Sequence, residues 1–333
     1  MRAVVSAAPA YARLARRELD AVLPGGCDLR ELAPGTWLLS APGRLADLAR
    51  DLAGTVFVRH CCAAEFELTP PRAQGLEAWV QGTLAAALPA RFPADLQVQA
   101  RVLPGGPAWR PGPLAAAVRG VLQARGVPAV GHPAEHVLSV VVGADAALAG
   151  CSPVRLHLSP WPAGVARLRR DPDEISRAAR KLEEALLLFG LSPRPGQRAL
   201  DLGAAPGGYT ALLLRRGLHV TAIDTGSLSP RLRGAPGLTF VRGPAHGVPL
   251  PAGPFDLLTA DLSWDPLRAA DCALRFRPRL APGAHGIVTI KFFGPDVPAT
   301  IAAARDRLRQ GYRVLAIRHL FHDRQEATAH LQV

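Results

Sequence analysis

Lysine is rare in this chain, and its two occurrences are the first residues whose type suggests chemistry. The sequence has 333 residues and 39 basic side chains, of which only Lys181 and Lys291 are lysines and the other 37 are arginines. Abundant alanine, glycine and proline indicate a drift toward GC-rich codons, which replaces lysine by arginine wherever chemistry permits. A lysine ammonium can release its proton, whereas an arginine guanidinium keeps its charge. The two lysines are therefore candidates for proton chemistry.

A glycine-rich turn follows a hydrophobic strand in RALDLGAAPGGYT, residues 198–210. Asp201 precedes the turn, and its glycines allow the backbone to approach a ligand closely where the next helix begins. The spacing differs from the dinucleotide fingerprint GxGxxG. The next strand, HVTAID, ends at Asp224, where a carboxylate could take the hydroxyls of a ribose. Two acids in these positions are typical of S-adenosylmethionine (SAM) methyltransferases.

Two more chemically able residues fall at predicted carboxyl ends of strands, where α/β sheets place their active sites. The strand FDLLTAD ends at Asp261, and the strand GIVTIKFF carries Lys291. The apolar residues around Lys291 disfavour a fully solvated position for it. Glu326 begins the last strand, and His322 and Asp323 are competing candidates in the same segment, FHDRQEATAHL.

The elements that would position these residues follow two patterns. Residues 1–70 have the order β-α-β-β-α-β, which predicts a ferredoxin-like subdomain with one long strand over 55–68. A second set of strands and helices over 71–155 contains no catalytic constellation and is typical of a binding region. Residues 156–173, rich in proline and arginine, form a predicted linker. Over 174–333 strands alternate with helices, which predicts an α/β domain with a doubly wound, mostly parallel sheet.

The helix that carries Lys181 is expected to begin directly after the linker. Asp171 can cap it, Pro172 suits its first turn, and Glu174 occupies the capping-box position. An apolar stripe at helical spacing follows: Ile175, Leu182, Ala185, Leu186 and Phe189. Lys181 lies off that stripe, beside Glu184.

Charge and cysteine content narrow the class of protein. The formal net charge is +12, and residues 161–333 carry 24 basic and 15 acidic side chains. This excess of positive charge favours a polyanionic partner. Its phosphates could be bound by Arg167, Arg169 and Arg170, unless these residues form a solvated linker.

Five scattered cysteines without a CxxC spacing indicate reduced thiols and no zinc site. Because no apolar stretch reaches roughly 18 residues and no signal-peptide pattern begins the chain, we expect a cytoplasmic protein without membrane contact.

Five motifs occur in one order that resembles the FtsJ-like ribose 2′-O-methyltransferases. They are SPWPAGVARLRRDPDEISRAARKLEEAL (159–186), DLGAAPGGYT, TADLSWDP, IKFF and FHDRQEATAHL. The resemblance is specific over 159–333 and extends to the bacterial members that methylate a cytidine of large-subunit ribosomal RNA. It implies a Rossmann-like SAM methyltransferase domain, preceded by a ferredoxin-like subdomain and, over 71–155, a THUMP-like RNA-binding region. It also implies SAM as cosubstrate, ribosomal RNA as partner and no metal.

The resemblance assigns roles to particular residues. The family uses a Lys–Asp–Lys–Glu tetrad, which falls on Lys181, Asp261, Lys291 and Glu326. The residues that the resemblance places at SAM are Asp201, Gly203, Ala204, Pro206, Gly207, Gly208, Tyr209, Asp224 and Asp261. Lys291 would remove the ribose hydroxyl proton, and burial together with the nearby cation of Lys181 would lower its pKa for that task.

One departure from the family and two alternative functions stay open. After Asp224 the family has an acid that meets the adenine amine, but this chain has Pro244 near that position. Either backbone groups recognise the adenine, or SAM binds less tightly than the resemblance implies. DLSW also resembles the motif of exocyclic-amine methyltransferases, in which Asp261 would take the amine protons and Trp264 would stack on a flipped base. The other alternative is a non-catalytic RNA-binding assembly factor with a vestigial SAM pocket. The sequence gives no indication of the oligomeric state.

Overall fold

The computed structural model describes residues 1–130, 133–169 and 171–333. The chain divides into two units, Met1–Val165 and Ala166–Val333. Of the three arginines predicted to grip phosphate, Arg167 and Arg169 are exposed, and Arg170 lies outside the described residues. In the described part of the chain, no helix has the length and apolar character that crossing a membrane requires.

The first unit opens with a four-stranded antiparallel sheet. Its elements are β1 (Arg2–Ala7), α1 (Ala12–Val22), β2 (Asp28–Ala33), β3 (Thr36–Ser40), α2 (Leu45–Leu52) and β4 (Val58–Ala63). The strands lie in the order β2-β3-β1-β4, and each neighbouring pair is antiparallel. Val4, Leu38 and Cys62, from three of these strands, are buried in one apolar cluster.

The second sheet of this unit has five strands. Its elements are β5 (Phe66–Leu68), α3 (Leu76–Trp79), a π-helical turn (Val80–Leu84), α4 (Ala85–Ala87), β6 (Leu96–Val102), α5 (Pro111–Ala124), β7 (Ala129–Val130), β8 (His136–Val142) and β9 (Ala147–Pro153). The strand order is β5-β9-β8-β6-β7. The prediction of one long strand over 55–68 is wrong, because β4 ends at Ala63 and the following β5 pairs with β9 in this other sheet.

The second unit contains a seven-stranded sheet. Its elements are α6 (Ala178–Leu188), β10 (Arg198–Leu202), α7 (Gly208–Arg215), β11 (His219–Asp224), β12 (Leu238–Arg242), β13 (Phe255–Ala260), α8 (Pro266–Phe276), β14 (Leu280–Lys291), α9 (Val297–Leu308), β15 (Arg313–Arg318) and β16 (Glu326–Gln332). The order is β12-β11-β10-β13-β14-β16-β15, and β16 runs antiparallel to both of its neighbours while β10 to β14 are parallel. The predicted mostly parallel α/β sheet is confirmed.

Apolar packing fixes helix α6 in this unit. Leu182 and Leu186 of α6 are fully buried and share a core with Leu213 of α7 and Val220 of β11. Full burial of such a side chain stabilises the fold by about 1.5–3 kcal/mol. The predicted apolar stripe therefore anchors the helix, and through it the backbone that carries Lys181.

Helix α6 begins later than predicted, at Ala178, and no side chain caps its first turn. Asp171 Oδ1 instead accepts the N–H of the residue two positions on, at 2.8 Å, and closes a local turn. Glu174 forms an ion pair with Arg180 at 3.0 Å. The capping prediction is wrong because an aspartate before a proline can satisfy a turn as readily as a helix end.

Candidate active site

The glycine turn after β10 is shaped by close packing. At Gly203, where φ is +75°, a Cβ atom would lie 2.8 Å from the carbonyl oxygen of Asp261. At Gly207 a Cβ atom would collide with Leu232, and at Gly208 it would collide with Ser176. Glycine is required at these three positions because any side chain would displace neighbouring atoms.

A cavity of about 230 Å³ lies beside this turn, at the carboxyl ends of four neighbouring strands, β10 to β13. Its lining residues are Gly203, Ala205, Ile223, Asp224, Thr225, Gly243, Pro244, Ala245, Asp261, Leu262, Ser263 and Trp264. Three residues predicted at SAM meet here: Gly203, Asp224 and Asp261. The cavity is thus in the position where open α/β sheets bind ligands.

Asp224 faces the cavity and also holds its wall. Its Oδ2 accepts the N–H of Ala205 at 2.9 Å, and its Oδ1 accepts the N–H of Gly226 at 2.6 Å. A carboxylate oxygen can accept two hydrogen bonds. Oδ1 also accepts the hydroxyl group of Thr225 at 3.5 Å, so the free lone pair is on Oδ2. Asp224 is half-buried, which leaves that lone pair accessible to a hydroxyl group in the cavity.

Asp201, which was predicted to contact SAM, is turned into the protein. It is 1% exposed, and its two oxygens accept the hydroxyl groups of Thr210 and Thr259 at 2.7 and 2.8 Å. Burial raises the pKa of Asp201 to about 6, against the lowering effect of these two hydrogen bonds. This carboxyl therefore ties α7 to the sheet, and it is not among the residues that line the cavity.

Five other residues predicted at SAM do not line the cavity either: Ala204, Pro206, Gly207, Gly208 and Tyr209. Gly207 and Gly208 serve the packing described above. Tyr209 is 3% exposed and its ring centroid lies 5.8 Å from Lys181 Nζ. The Tyr209 ring therefore makes a cation–π contact with the Lys181 ammonium and does not line the cavity.

Four side chains form a closed ring of alternating charge next to the cavity. Lys181 Nζ donates to Asp261 Oδ2 at 2.6 Å and to Glu326 Oε1 at 3.0 Å. Lys291 Nζ lies 3.0 Å from Asp261 Oδ1 and donates a short hydrogen bond to Glu326 Oε2. All four tetrad residues that the resemblance implied are brought together, and Asp261 belongs to both the ring and the cavity wall.

The fold explains how distant residues reach this ring. Asp261 comes directly after β13, and Lys291 is the last residue of the neighbouring strand β14. Because β16 runs antiparallel to β14, its first residue, Glu326, pairs with Lys291 across the ladder. Helix α6 supplies Lys181 from outside the sheet.

Burial separates the two lysines. The Lys181 side chain is 5% exposed, whereas that of Lys291 is 21% exposed and is the most accessible of the four. Lys291 is therefore the more accessible of the two lysines.

The charges of the ring act on one another. Burial alone would raise the pKa of Asp261, but the ammonium groups of Lys181 and Lys291 outweigh it and lower that pKa. Burial alone would lower the pKa of Lys291, but Asp261 and Glu326 outweigh it and raise that pKa. The expectation of a lowered Lys291 pKa is wrong for this state, because the two carboxylates touch the ammonium directly.

Glu184 holds the loop that leads to Glu326, a role that the sequence did not reveal. It is 2% exposed and accepts the N–H groups of Phe321 and His322 at 2.7 and 2.9 Å. It also pairs with His322 Nδ1 at 2.7 Å. The sequence feature that could have revealed this role is the position of Glu184, one helical turn after Lys181 on the same face of α6.

Asp323 and His322, the competing candidates, serve this same loop. Asp323 accepts the N–H of Leu320 at 2.9 Å and the hydroxyl group of Thr328 at 3.1 Å. Burial raises the pKa of Asp323 to about 8. Neither side chain is a member of the charged ring.

Among the residues that the structure describes, no group of three or more His, Cys, Asp or Glu side chains is suited to hold a metal ion.

The family to which the second unit belongs follows from a comparison with known sequences. Residues 175–319 match the family of FtsJ-like methyltransferases. The chain carries an FtsJ-like methyltransferase domain. The matched span includes Lys181, Asp261 and Lys291, and Glu326 lies beyond its end.

Curated relatives of the FtsJ-like domain have one name in common. The ribosomal RNA large subunit methyltransferase M of Methylococcus capsulatus is 36% identical over 187 residues, which cover 53% of this chain and 52% of that protein. Its namesake from Halorhodospira halophila is 39% identical over 175 residues, covering 51% and 50%. The chain spans about half the length of the curated relatives it matches. The crystal structure of TrmN from Thermus thermophilus covers 100% of this chain, with 19% identity and a TM-score of 0.40.

Proposed function

We propose that the chain is a SAM-dependent RNA methyltransferase that modifies a ribose 2′-hydroxyl, with a cytidine of large-subunit ribosomal RNA as its target. The ring of Lys181, Asp261, Lys291 and Glu326 beside the cavity carries this proposal. The names of the curated relatives support ribosomal RNA as the substrate class.

The residues around the cavity fit SAM as the methyl donor. Asp224 offers a half-buried carboxylate with a free lone pair on Oδ2 to a ribose hydroxyl, and Gly203 leaves bare backbone where a side chain would collide with Asp261. Asp261 places negative charge at the end of the cavity next to the ring. Bound SAM would supply a methyl group activated by its sulfonium.

Lys291 would be the general base in this mechanism. A positioned base contributes about 10²- to 10⁴-fold to a proton-transfer step. Neutral Lys291 would accept the 2′-hydroxyl proton on Nζ as the ribose oxygen takes the methyl group, while the bond from methyl to sulfur would break and leave S-adenosylhomocysteine. Asp261 and Glu326 would hold the resulting ammonium in place.

The raised pKa of Lys291 adds a condition to this role. Lys291 must first lose its own proton, and in the ring described above the two carboxylates favour its charged form. A second positive charge bound beside Asp261 would compete for that carboxylate and lower the pKa of Lys291. Base function would therefore depend on an occupied cavity.

The same geometry gives a reason for each lysine. At Lys291, arginine would fail because its guanidinium cannot release a proton at accessible pH. At Lys181, the side chain is nearly buried and one nitrogen contacts two carboxylates at 2.6 and 3.0 Å. The broader guanidinium of arginine would have to displace one of those carboxylates.

The ring also weighs against the exocyclic-amine alternative. In that mechanism the aspartate of the DLSW motif takes the protons of a base amine. Asp261 instead faces the ammonium groups of both lysines, and they lower its pKa, which makes it a poorer proton acceptor.

For the first unit we propose a ferredoxin-like subdomain and a THUMP-like region that bind RNA, in a cytoplasmic protein. The strand order β2-β3-β1-β4, with every neighbouring pair antiparallel, supports the ferredoxin-like assignment of the subdomain. Binding through arginine–phosphate contacts would weaken with salt.

The proposal is tested by incubating labelled SAM with large-subunit ribosomal RNA and the Lys291→Arg variant. We expect methyl transfer to fall at least about 100-fold, because arginine keeps the charge but cannot act as base. SAM affinity, measured by calorimetry, should stay close to that of the wild type. Undiminished transfer by Lys291→Arg would refute the base assignment, and SAM binding without transfer by the wild type would favour the assembly-factor alternative.

A further inference from the structure

The cavity touches the charged ring through Asp261, and Pro244, Ala245 and Trp264 also line it. The ring contact between His246 and Trp264 brings these last three residues together, and we call them the second end of the cavity. Asp224 ends β11, which lies between β12 and β10 in the sheet. On the proposed function, the methyl group of SAM must face the ring and its ribose must face Asp224. The adenine then falls at the second end, formed by Pro244, Ala245 and Trp264.

Backbone groups at this second end are already used within the protein. Pro244 has no N–H, and its carbonyl oxygen accepts the N–H groups of Gly247 and Val248 at 2.8 and 3.1 Å. The Ala245 carbonyl oxygen accepts Arg275 Nη1 at 3.0 Å. The Gly243 N–H donates to the backbone oxygen of Asp224 at 2.9 Å. The backbone groups named here therefore have partners without a bound adenine.

Trp264 supplies an aromatic surface at the same place. It is half-buried and lines the cavity, and its ring meets the edge of His246 with centroids 5.4 Å apart. The guanidinium carbon of Arg268 lies over the ring, 5.7 Å from its centroid. A cation on an indole is a stabilising contact, and it orients the ring in the absence of ligand.

The backbone beside Trp264 is fixed as well. Asp265 is the N-cap of α8, and its Oδ1 accepts the N–H groups of Leu267 and Arg268 at 2.9 and 3.3 Å. An N-cap of this kind stabilises a helix start by about 0.5–2 kcal/mol. Trp264 thus directly precedes a helix start that its N-cap fixes, so ligand binding requires little ordering of the backbone there.

We infer that Trp264 is a binding residue of the cosubstrate site, on which the adenine of SAM stacks in place of pairing with a carboxylate. Stacking between a base and an aromatic side chain tolerates any base, because every base has a π-face. The indole would therefore add affinity for the nucleoside without selecting the base, and Asp224 would add affinity and orientation at the ribose.

The test measures binding to the full-length protein without RNA. Using S-adenosylhomocysteine and calorimetry, we expect Trp264→Ala to weaken binding by about 5- to 150-fold, the range of one lost stacking contact. Trp264→Phe should retain most of the affinity. Leu267→Ala is the matched control, since Leu267 is 44% exposed in the first turn of α8 and does not line the cavity.

A ligand without the base separates stacking from mere structural support. S-ribosylhomocysteine, used as a competitor, should bind wild type and Trp264→Ala equally. An equal loss of affinity for both ligands in Trp264→Ala would overturn the inference. So would unchanged S-adenosylhomocysteine affinity together with a raised KM for RNA, which would assign Trp264 to the target base.

Fluorescence gives an independent readout, because Trp264 is the one tryptophan in the sequence between residues 166 and 333. Binding of S-adenosylhomocysteine should quench part of the emission of the wild type and none of that of Trp264→Phe. Equal quenching in both proteins would contradict stacking on Trp264. Because these measurements need no methyl transfer, an error in the proposed reaction would appear separately, as binding without ribose methylation.

Discussion

The charged ring and the cavity beside it share Asp261 but are built in different ways. The cavity consists of turns that follow neighbouring parallel strands, and backbone contacts dominate it: Asp224 accepts two N–H groups of its own wall. The ring consists of long side chains from separate elements, and two members that touch, Lys181 and Glu326, are 145 residues apart.

This difference indicates a division of labour. Backbone turns hold a ligand in position and tolerate changes in most side chains around them. The ring places charge and a proton acceptor, so each of its side chains is tied to a chemical property. We therefore expect ring variants to change the rate of transfer and cavity variants to change the affinity for SAM.

The largest expected effect is the pH dependence of the wild-type transfer rate, because the ring sets the pKa of Lys291. Because Asp261 and Glu326 raise the pKa of Lys291, its neutral form is scarce at pH 7 and increases tenfold per pH unit below that pKa. The single-turnover rate should rise with pH over the range 7–9, by up to about 100-fold. Glu326→Gln removes one raising charge and should shift the rising limb to lower pH. A rate that is flat over this range would contradict Lys291 as the base.

A smaller effect is expected in the cavity. Asp224→Ala removes a charged acceptor for ribose hydroxyls, a loss of about 1.5–3 kcal/mol, which corresponds to about 10- to 150-fold weaker SAM binding. The rate at saturating SAM should stay near that of the wild type. Calorimetry and single-turnover assays measure the two quantities, with Asp271→Ala as the control, because this carboxylate is half-exposed on α8. Equal affinities for Asp224→Ala and wild type would remove Asp224 from the site.

The smallest expected effect on the transfer rate comes from Glu184, which supports the ring without belonging to it. Glu184→Gln weakens the clamp on the loop before Glu326, and we expect about a tenfold lower rate with unchanged SAM affinity. Glu183→Gln is the matched control, since its carboxylate is 35% exposed and lies 3.8 Å from Arg216. If both variants behaved alike, the clamp would have no part in positioning the ring.

The two regions also differ in how far the sequence predicts them. The glycine turn and Asp224 are local patterns, and they identified the position of the cavity at the sheet edge. The sequence did not show which glycines border it, because Gly207 and Gly208 are required by contacts with Leu232 and Ser176 from other segments.

The ring members were predicted by family resemblance, since no local spacing relates residues so far apart. What the resemblance could not supply was the electrostatics: direct contact with two carboxylates raises the pKa of Lys291, where a lowered value was expected. Helix α6 was foreseen but placed to begin too early, since Asp171 closes a local turn.

The most direct test of the central claim is the position of the methyl group on RNA. Large-subunit ribosomal RNA from cells lacking this protein would be methylated with labelled SAM and then hydrolysed with alkali. A 2′-O-methyl group removes the nucleophile that alkali uses, so we predict label in a dinucleotide that resists cleavage. Label released on a single methylated nucleotide would place the methyl group on a base and contradict the ribose mechanism.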